Sequence, residues 1–333
     1  MPETGTEHAV GVDLGGTNLK VALVERNDGI VRQAVLPTEA EHGPERVLDR
    51  IVEGVQRVVQ GFEAGGRVEG IGVGAPGIVT LDRSTVSKPP NFPGWDTVHL
   101  ADQLSPRLAE AGIRVDGPII AENDANAAAL GSAFYGAGRP FDSFVMVTLG
   151  TGVGGAIIVD DRLFRGTTGA AGEIGHMSIN YEGPYDRTGV SGAIEAYLGQ
   201  RYLSRHARYQ LLARETGLHE TAGHDLQDIT PQRVHAAALA GDKAAQEVLA
   251  WAGHKLGVVL GSVVNLLDIR KVVVGGGVSR AGEFLLEPAR EAMRRWTMPS
   301  LSEGIEIVQE TRGNDVAMLG AARLVFEHLD DAA

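Results

Sequence analysis

The chain of 333 residues contains no cysteine. Disulfides, thiolate nucleophiles and cysteine-ligated zinc sites are therefore excluded together, because each of them needs a thiol sulfur. No apolar run is long enough to span a membrane, and the opening segment MPETGTEHAV has neither the basic residues nor the apolar core of a signal peptide. We therefore expect a cytoplasmic protein that has no membrane partner.

Positive charge is also in short supply. Lys and Arg number 30 against 43 Asp and Glu, so the formal net charge is −13. An acidic chain repels phosphate backbones and anionic bilayers, and nucleic acid is therefore a poor candidate partner. A small anionic ligand remains compatible with this charge, because backbone N–H groups bind phosphate without any net positive charge. Hydrophobic residues make up 43% of the chain, which is enough for a substantial core.

The hydrophobic periodicity predicts an α/β protein. Three strands precede Thr38, with a glycine loop between the first two and a tight turn at residues 27–29 before the third. Asn123 and Asp124 precede an alanine-rich helix, for which Asp124 is expected to be an acidic N-cap. The polar region 217–229 is predicted to be a loop. The later elements expected are helices over 192–216 and 242–267, a strand over 271–274 and a helix over 315–328.

A weak internal repeat suggests that the chain contains two related domains. Leu14-Gly15 aligns with Leu149-Gly150, and residues 21–24 align with residues 156–159 at the same offset. Chance similarity between two glycine hairpins is the alternative explanation. The repeat favours a duplicated α/β domain, with a cleft between the two copies.

Two glycine-rich segments match G-x-G-x-x-G, at Gly72/Gly74/Gly77 and at Gly150/Gly152/Gly155. A dinucleotide-binding loop must open a helix, but both segments run on into strand-like sequence. There is also no G-x-x-x-x-G-K-[ST] segment. A nicotinamide-dependent dehydrogenase and a P-loop protein are therefore both excluded.

The segment DLGGTN at 13–18 differs from both of these nucleotide-binding motifs. A strand delivers a carboxylate, two glycines allow the backbone to approach a ligand closely, and a threonine offers a hydroxyl. Such a loop suits a chain of phosphates with a metal ion nearby. An ordinary glycine hairpin would explain residues 15–16 alone, but LGTG at 149–152 repeats the arrangement. Two such hairpins fit the phosphates of a nucleotide.

These segments, in this order, resemble the ROK family (repressor, open reading frame, kinase) of the actin-like ATPase superfamily over nearly the whole chain. The resemblance is carried by DLGGT at 13–17, GAPG at 74–77, PNFPGW at 90–95, ENDANAAALG at 122–131, LGTGVGG at 149–155 and GEIGH at 172–176. It implies an actin-like (ribonuclease H-like) fold. One small α/β domain would comprise residues 1–121 and 314–333, and a larger one would comprise residues 122–313. It also implies a kinase that transfers phosphate from Mg²⁺-ATP to a hexose, most commonly glucose, in a homodimer.

The resemblance further implies a role for each matching position. Asp124 corresponds to the catalytic base, and Asp13 to the residue beside Mg²⁺, which it would contact through water. The other positions implied to bind the sugar are Gly77, Asn91, Asn123, Glu173, His176 and Glu195. Those implied to bind the nucleotide are Gly15, Gly16, Thr17, Thr151, Gly152, Gly275, Gly276 and Gly277.

Each polar position also has a plainer interpretation. Asp124 could simply cap its helix, Glu173 and His176 could form a surface pair at i, i+3 spacing, and Asn91 could be a turn residue. The order of the six segments favours function over these readings. Trp95 and Tyr197 are expected to belong to the core or its rim.

The chain departs from the family at its metal site. Family members usually carry three cysteines that bind zinc together with the histidine, and this chain has Asp186, Thr188 and Ala193 instead. His176 and Asp186 are too few to form a structural zinc site. We therefore expect no zinc, and expect His176 to be restrained either by a hydrogen bond to Asp186 or by packing of Tyr181, Pro184 and Tyr185 in the same loop.

Three alternative functions remain. The family includes sugar-responsive repressors, but Asp13 follows only twelve residues, which leaves no room for a preceding helix-turn-helix. A polyphosphate-dependent kinase would need a basic track, and no Lys/Arg cluster is evident. Mannose, fructose, allose or an N-acetyl hexosamine could replace glucose, because all of them use the same types of ligand.

Overall fold

The structure, a computed structural model, describes residues 6–62, 67–212, 214, 216–222 and 228–332. Its strands are β1 (His8–Leu14), β2 (Asn18–Glu25), β3 (Gly29–Pro37), β4 (Val68–Ala75), β5 (Ile78–Val79), β6 (Thr85–Ser87), β7 (Thr97–His99), β8 (Ile119–Asn123), β9 (Phe144–Leu149), β10 (Val153–Val159), β11 (Arg162–Leu163), β12 (Lys271–Gly275) and β13 (Glu306–Gln309). Its α-helices are α1 (Pro44–Val59), α2 (Leu100–Glu110), α3 (Asp124–Tyr135), α4 (Glu195–Leu198), α5 (Gln200–Leu212), α6 (Gly217–Ala222), α7 (Pro231–Leu239), α8 (Lys243–Leu267), α9 (Glu283–Trp296) and α10 (Val316–Ala332).

The described residues fall into two compact units. The first lies within Met1–Pro140, Asp161–Ala171 and Asp315–Ala333, and the second within Phe141–Asp160 and Gly172–Asn314. The sequence places a domain boundary after residue 121, whereas the structure keeps residues 122–140 in the first unit. The reason is that α3 packs closely along α10 and lies against the same sheet.

The first unit is built on a five-stranded sheet of order β3-β2-β1-β4-β8. The β1–β2 and β2–β3 pairs are antiparallel, and the β1–β4 and β4–β8 pairs are parallel. Neighbouring residues of β1 point to opposite faces, as the pleat requires. Val10 and Val12 therefore pack in one core cluster with Ile51 of α1, while Ala9 packs in another with Met318 of α10.

The second unit repeats this arrangement. Its strands lie in the order β10-β9-β12-β13, with β9–β10 antiparallel and β9–β12 and β12–β13 parallel. The strands of the first unit, β2-β1-β4-β8, have the same order along the chain and the same parallel or antiparallel pairings. The common topology confirms the duplicated α/β fold that the internal repeat predicts.

Helix α8 is long enough and apolar enough to cross a bilayer by length and composition, and most of it is buried. Val248, Leu256 and Leu260 lie fully or almost fully buried in the core cluster of the second unit. Packing within that core therefore accounts for the hydropathy of α8.

The expectation of a loop over residues 217–229 is wrong for its first half, because α6 occupies Gly217–Ala222. Leu218 is 1% exposed and packs in the core of the second unit, and its N–H donates to Asp242 Oδ2 at 3.0 Å. A single buried leucine and one capping carboxylate outweigh the polar composition that suggested a loop. Residues 223–227 of the same prediction lie outside the described residues.

Helix α10 approaches the first sheet at glycines. A Cβ on Gly72 would overlap the carbonyl oxygen of Ala321, and a Cβ on Gly11 would overlap that of Met318. The helix backbone therefore lies directly on β1 and β4. This close contact leaves no room for even a methyl group.

Replacing Gly72 by Ala is expected to destabilise the protein by about 1–3 kcal/mol, the usual cost of forcing an extra carbon into a packed core. Urea unfolding would measure this change. Gly150→Ala is the matched control, since a Cβ there has no neighbour within 4 Å. Equal unfolding midpoints for the two variants would contradict the close packing of α10.

Candidate active site

The loop between β1 and β2 is held in place by hydrogen bonds within the loop and from Thr38. The Gly15 N–H donates to the carbonyl of Asn18 at 3.2 Å, and the Thr38 N–H donates to the carbonyl of Thr17 at 3.0 Å. The Thr38 hydroxyl donates to the carbonyl of Gly15 at 2.6 Å, and Thr38 is completely buried. The loop is thus pre-organised, and Gly16 and Thr17 are exposed at its tip. Sequence reasoning missed Thr38, whose only signal is its place just after β3.

Asp13 lies opposite Lys20 across the β1–β2 hairpin, and its Oδ2 is 2.7 Å from Lys20 Nζ. A carboxylate oxygen is the type of ligand that Mg²⁺ takes in small numbers, alongside phosphate oxygens and water. No group of three or more His, Asp or Glu that could hold a metal occurs in the described part of the chain. Asp13 therefore fits an ion held mainly by phosphates rather than by an all-protein cage. Lys20 is a second residue that sequence reasoning missed.

The start of α3 is capped by Asn123 and not by Asp124, so the expectation of an acidic N-cap is wrong. Asn123 has extended backbone angles, and its Oδ1 accepts the N–H groups of Ala125 at 2.9 Å and Asn126 at 3.3 Å. Asp124 is instead the first helical residue. It is exposed, and its Oδ1 accepts the Ala125 N–H at 2.8 Å. The helix therefore already has its cap, which weakens the plainer reading of Asp124.

Strand register brings Asp124 to the same edge of the sheet as Asp13. Asp13 pairs with Gly74 on β4, and Gly74 pairs with Glu122 on β8. Strands lie about 4.8 Å apart, so the backbones of Asp13 and Glu122 are separated by roughly 10 Å. The carboxyl ends of parallel strands are where α/β proteins bind their ligands.

Gly77, Asn91 and Asn123 lie at this edge as well. The Asn123 side-chain amide donates to the carbonyl of Gly77 at 3.2 Å. A Cβ on Gly77, whose φ is +96°, would lie 2.8 Å from the carbonyl oxygen of Ser87. Asn91 is exposed in the left-handed region with φ 69°, and its Cβ lies 3.6 Å from the Cβ position of Gly16. The predicted residues of the first unit are therefore brought together.

Trp95 is a core residue, as expected. It is 4% exposed, its ring packs edge-on against Phe92, and its Nε1 donates to the carbonyl of Val86 at 3.2 Å. Its role is to support the segment that carries Asn91. Tyr197 is a partly buried residue at the rim of the core in the second unit.

The second glycine loop, between β9 and β10, adjoins two further predicted positions. The Gly150 N–H donates to the carbonyl of Gly152 at 3.0 Å. Glu195 Oε2 accepts the Val153 N–H at 3.0 Å and occupies the space where a side chain on residue 152 would lie. The turn Gly275–Gly277 reaches the same loop, because a Cβ on Gly276 would overlap the backbone of Leu149. Thr151 lies at the exposed tip.

A cavity of about 350 Å³ opens just beyond this turn. Its walls come from α7, from the short 3₁₀ helix Gly277–Ala281 and from the start of α9. The lining residues are His235, Leu239, Ala281, Gly282, Glu283 and Phe284. Their mostly apolar character suits the flat ring of a base better than it suits a sugar.

Asp186 restrains the His176 ring, and this is one of the two restraints that the sequence predicts. His176 Nδ1 lies 2.7 Å from Asp186 Oδ2, and Nε2 lies 3.8 Å from Glu173 Oε2. The other expected restraint is absent, because Tyr181 and Tyr185 are 83% and 69% exposed. An ionised carboxylate only accepts hydrogen bonds, so Nδ1 carries the proton and Nε2 faces Glu173.

Asp186 also organises its own loop. It is 6% exposed, and its Oδ1 accepts the N–H groups of Thr188 at 2.8 Å and Val190 at 2.9 Å, together with the Thr188 hydroxyl at 2.8 Å. Burial alone would raise the pKa of this carboxyl, but the hydrogen bonds from His176, Thr188 and Val190 outweigh burial and lower the pKa.

A short antiparallel bridge places Glu195 beside His176. Ser178 pairs with Ala193, and the Ile194 N–H donates to the carbonyl of Met177 at 3.0 Å. The second unit therefore brings Glu173, His176 and Glu195 together with the loop at 150–152. This grouping is what a site with several hydroxyl ligands requires.

Comparison with known proteins identifies the family of this chain. The ROK family pattern matches residues 9–328. The glucokinase of Thermotoga maritima is 32% identical, and the match covers 96% of this chain and 98% of that protein. A structure of the ROK family glucokinase from Streptomyces griseus, in complex with glucose and AMPPNP, is 32% identical with a TM-score of 0.82, covering 96% of this chain and 99% of that one. The xylose repressor of Caldicellulosiruptor bescii is 25% identical over 96% of this chain and 78% of its own length. The chain belongs to the ROK family and has its actin-like α/β fold, without the cysteines of the family's zinc site.

Proposed function

We propose that this protein is an ATP-dependent hexose kinase that converts glucose to glucose 6-phosphate. The observation that carries the proposal is the exposed carboxylate of Asp124 at the start of α3. Asp124 follows Asn123, which bonds Gly77, and lies on the same sheet edge as the loop at 15–17, which Asn91 adjoins. Full-length similarity to glucokinases supports the choice of glucose.

Asp124 would act as the general base. Its carboxylate accepts the proton of the sugar hydroxyl while the hydroxyl oxygen forms a bond to the γ-phosphorus of ATP. The bond from the γ-phosphorus to the bridging oxygen breaks, and ADP leaves with that electron pair. The products are the sugar phosphate, ADP and the proton held by Asp124.

The nucleotide would be bound largely by backbone. The N–H groups at 15–17 and 150–152 suit phosphate oxygens, and the turn Gly275–Gly277 with the adjoining cavity suits the nucleoside. Mg²⁺ beside Asp13 would neutralise phosphate charge and polarise the bond that breaks. Lys20 Nζ, 2.7 Å from Asp13 Oδ2, would hold that carboxylate in place.

Glu173, His176 and Glu195 would bind sugar hydroxyls. A deoxy sugar would leave one of these polar groups unpaired. We therefore expect kcat/KM to fall further than the roughly 10–200-fold that a lost methylene costs in an apolar pocket. An ADP-release assay with glucose, other hexoses and a series of deoxyglucoses would measure this effect. Equal kcat/KM for glucose and every deoxyglucose would contradict these assignments.

A sugar-responsive repressor is the main alternative, because repressors are among the relatives. The lower identity to the repressor and the net charge of −13 favour the kinase. ADP production with a hexose, set against retention on DNA at low salt, separates the two functions. Replacing ATP by polyphosphate in the same assay tests the other donor.

The same proposal includes a cytoplasmic location and a homodimer, both supported by the resemblance to the family. Sedimentation at several protein concentrations would test the dimer.

A further inference from the structure

A buried carboxylate stands immediately before the proposed base. Glu122 is fully buried at the end of β8. Its Oε1 accepts the Asn123 N–H at 2.9 Å and the side-chain amide of Asn126 at 3.0 Å. These partners lie on either side of Asp124, so the Glu122 carboxylate fixes the backbone from which Asp124 projects.

Two arginines compensate this buried charge. Arg165 Nε lies 2.8 Å from Glu122 Oε2, and Arg83 Nε lies 3.4 Å from the same oxygen. The Arg165 side chain is only 11% exposed. Its two terminal nitrogens donate to the carbonyls of Leu81 at 2.7 Å and Thr80 at 2.9 Å. Nη2 also donates to Glu122 Oε1 at 3.4 Å, so the guanidinium links Glu122 to these two carbonyls.

The turn that receives Arg165 is itself rigid. Asp82 Oδ1 accepts the Thr80 hydroxyl at 2.5 Å and the Ser84 N–H at 3.2 Å. These hydrogen bonds lower the pKa of Asp82. The Ala121 N–H donates to the carbonyl of Arg83 at 2.8 Å, which ties the turn to β8. A closed set of contacts therefore joins β8 to the turn, the turn to Arg165, and Arg165 to Glu122 in β8.

We propose that Arg165 is a positioning residue for phosphoryl transfer. It holds Glu122, and through Glu122 the first turn of α3, so that the Asp124 carboxylate stays aligned with the substrate hydroxyl. Without Arg165 the Glu122 carboxylate would lose its shortest ion pair while still buried, and would shift to recover polar contacts. The proposal rests on the proposed role of Asp124.

The first test compares variants of Arg165. Arg165→Met keeps an unbranched apolar stem but removes every side-chain N–H, and should lower kcat about 10- to 100-fold, as expected for a reacting group displaced by about 1 Å. The KM for ATP should stay within about twofold, because no contact in the nucleotide site changes. Arg165→Lys should restore only part of kcat, since one ammonium cannot bond Glu122 and the two carbonyls in the geometry of a planar guanidinium.

Arg162→Met is the matched control. Arg162 lies in the same segment, its side chain is 84% exposed, and its ion pair with Asp331 is at 3.7 Å. It should keep the wild-type kcat. Unfolding midpoints measured for all variants separate a lost active-site geometry from a lost fold. If Arg165→Met does not fold, Glu122→Gln replaces it and should lower kcat in the same way.

The decisive measurement is a double mutant. If Arg165 acts through Asp124, adding Arg165→Met to Asp124→Asn should leave kcat at the value of Asp124→Asn alone. Multiplied losses would overturn the proposal, as would a wild-type kcat for Arg165→Met in an active kinase. Absence of kinase activity in the wild type, or full activity of Asp124→Asn, would instead refute the proposed function itself.

Discussion

Asp124→Asn is expected to lower kcat by about 10²–10⁴-fold, the range found when a positioned general base is removed. Asn has the same shape as Asp and cannot take the hydroxyl proton. Because Asn123 already caps α3, the substitution should change the free energy of unfolding by no more than about 1 kcal/mol, the contribution of one charge at a helix N-terminus. Steady-state ADP release and urea unfolding measure the two quantities.

Asp102→Asn is the matched control for this change. Asp102 also lies in the first turn of a helix of the first unit, α2, and its side chain is 76% exposed. It should retain the wild-type kcat and show a similar small change in stability. A wild-type rate for Asp124→Asn would mean that another group accepts the proton.

Asp186→Ala is expected to raise the KM for glucose about 10- to 100-fold, the usual loss when the partner that orients a functional histidine is removed. His176 would lose its Nδ1 partner, and the N–H groups of Thr188 and Val190 would lose the carboxylate oxygen that accepts them. Thr188→Val is the control, since it removes one donor and keeps the carboxylate. It should leave the KM for glucose unchanged, and an equal rise in both variants would point to general loosening of the loop.

The pH dependence of stability offers an independent check on Asp186. Its pKa is lower in the folded protein than in the unfolded chain. Its contribution to stability is therefore complete above the ordinary carboxyl pKa and is lost as the pH falls through the lowered value. The stability difference between the wild type and Asp186→Asn should shrink over that acidic range.

The Asp186–His176 pair also predicts how the protein responds to chelation. After treatment with a strong chelator and dialysis, Mg²⁺ and ATP alone should restore full activity. Activity that returned only with added zinc would contradict a hydrogen-bonded carboxylate as the restraint on His176.

The sequence predicts the glycine loops and the duplicated α/β fold, because a strand, a loop and the next strand are adjacent in the chain. It does not predict Thr38 or Arg165. Thr38 bonds the carbonyls of Gly15 and Thr17 because the pairing of the strands brings them together. Arg165 bonds Glu122, which lies 43 residues earlier in the chain. Neither residue belongs to a local pattern.

The other differences have the same origin. The boundary expected after residue 121 comes from the family resemblance, whereas the first unit keeps α3 because α3 packs against α10. The cap at Asn123 depends on one extended backbone angle, which two neighbouring capping residues do not distinguish from sequence. Features set by neighbouring residues can therefore be predicted from the sequence, whereas contacts between distant segments cannot.

The placement of α10 has a consequence for biosynthesis. The first sheet begins at His8, yet the helix that covers one of its faces is α10, and the Arg26 guanidinium bonds the carbonyl of Phe326, 300 residues later. A ribosome releases the early strands long before the residues that cover them. The apolar face formed by Ala9, Ala22 and Val24 therefore stays exposed until α10 is synthesised. During that time the whole second unit leaves the ribosome and can fold first. We therefore expect nascent chains arrested before α10 to bind chaperones through the first sheet.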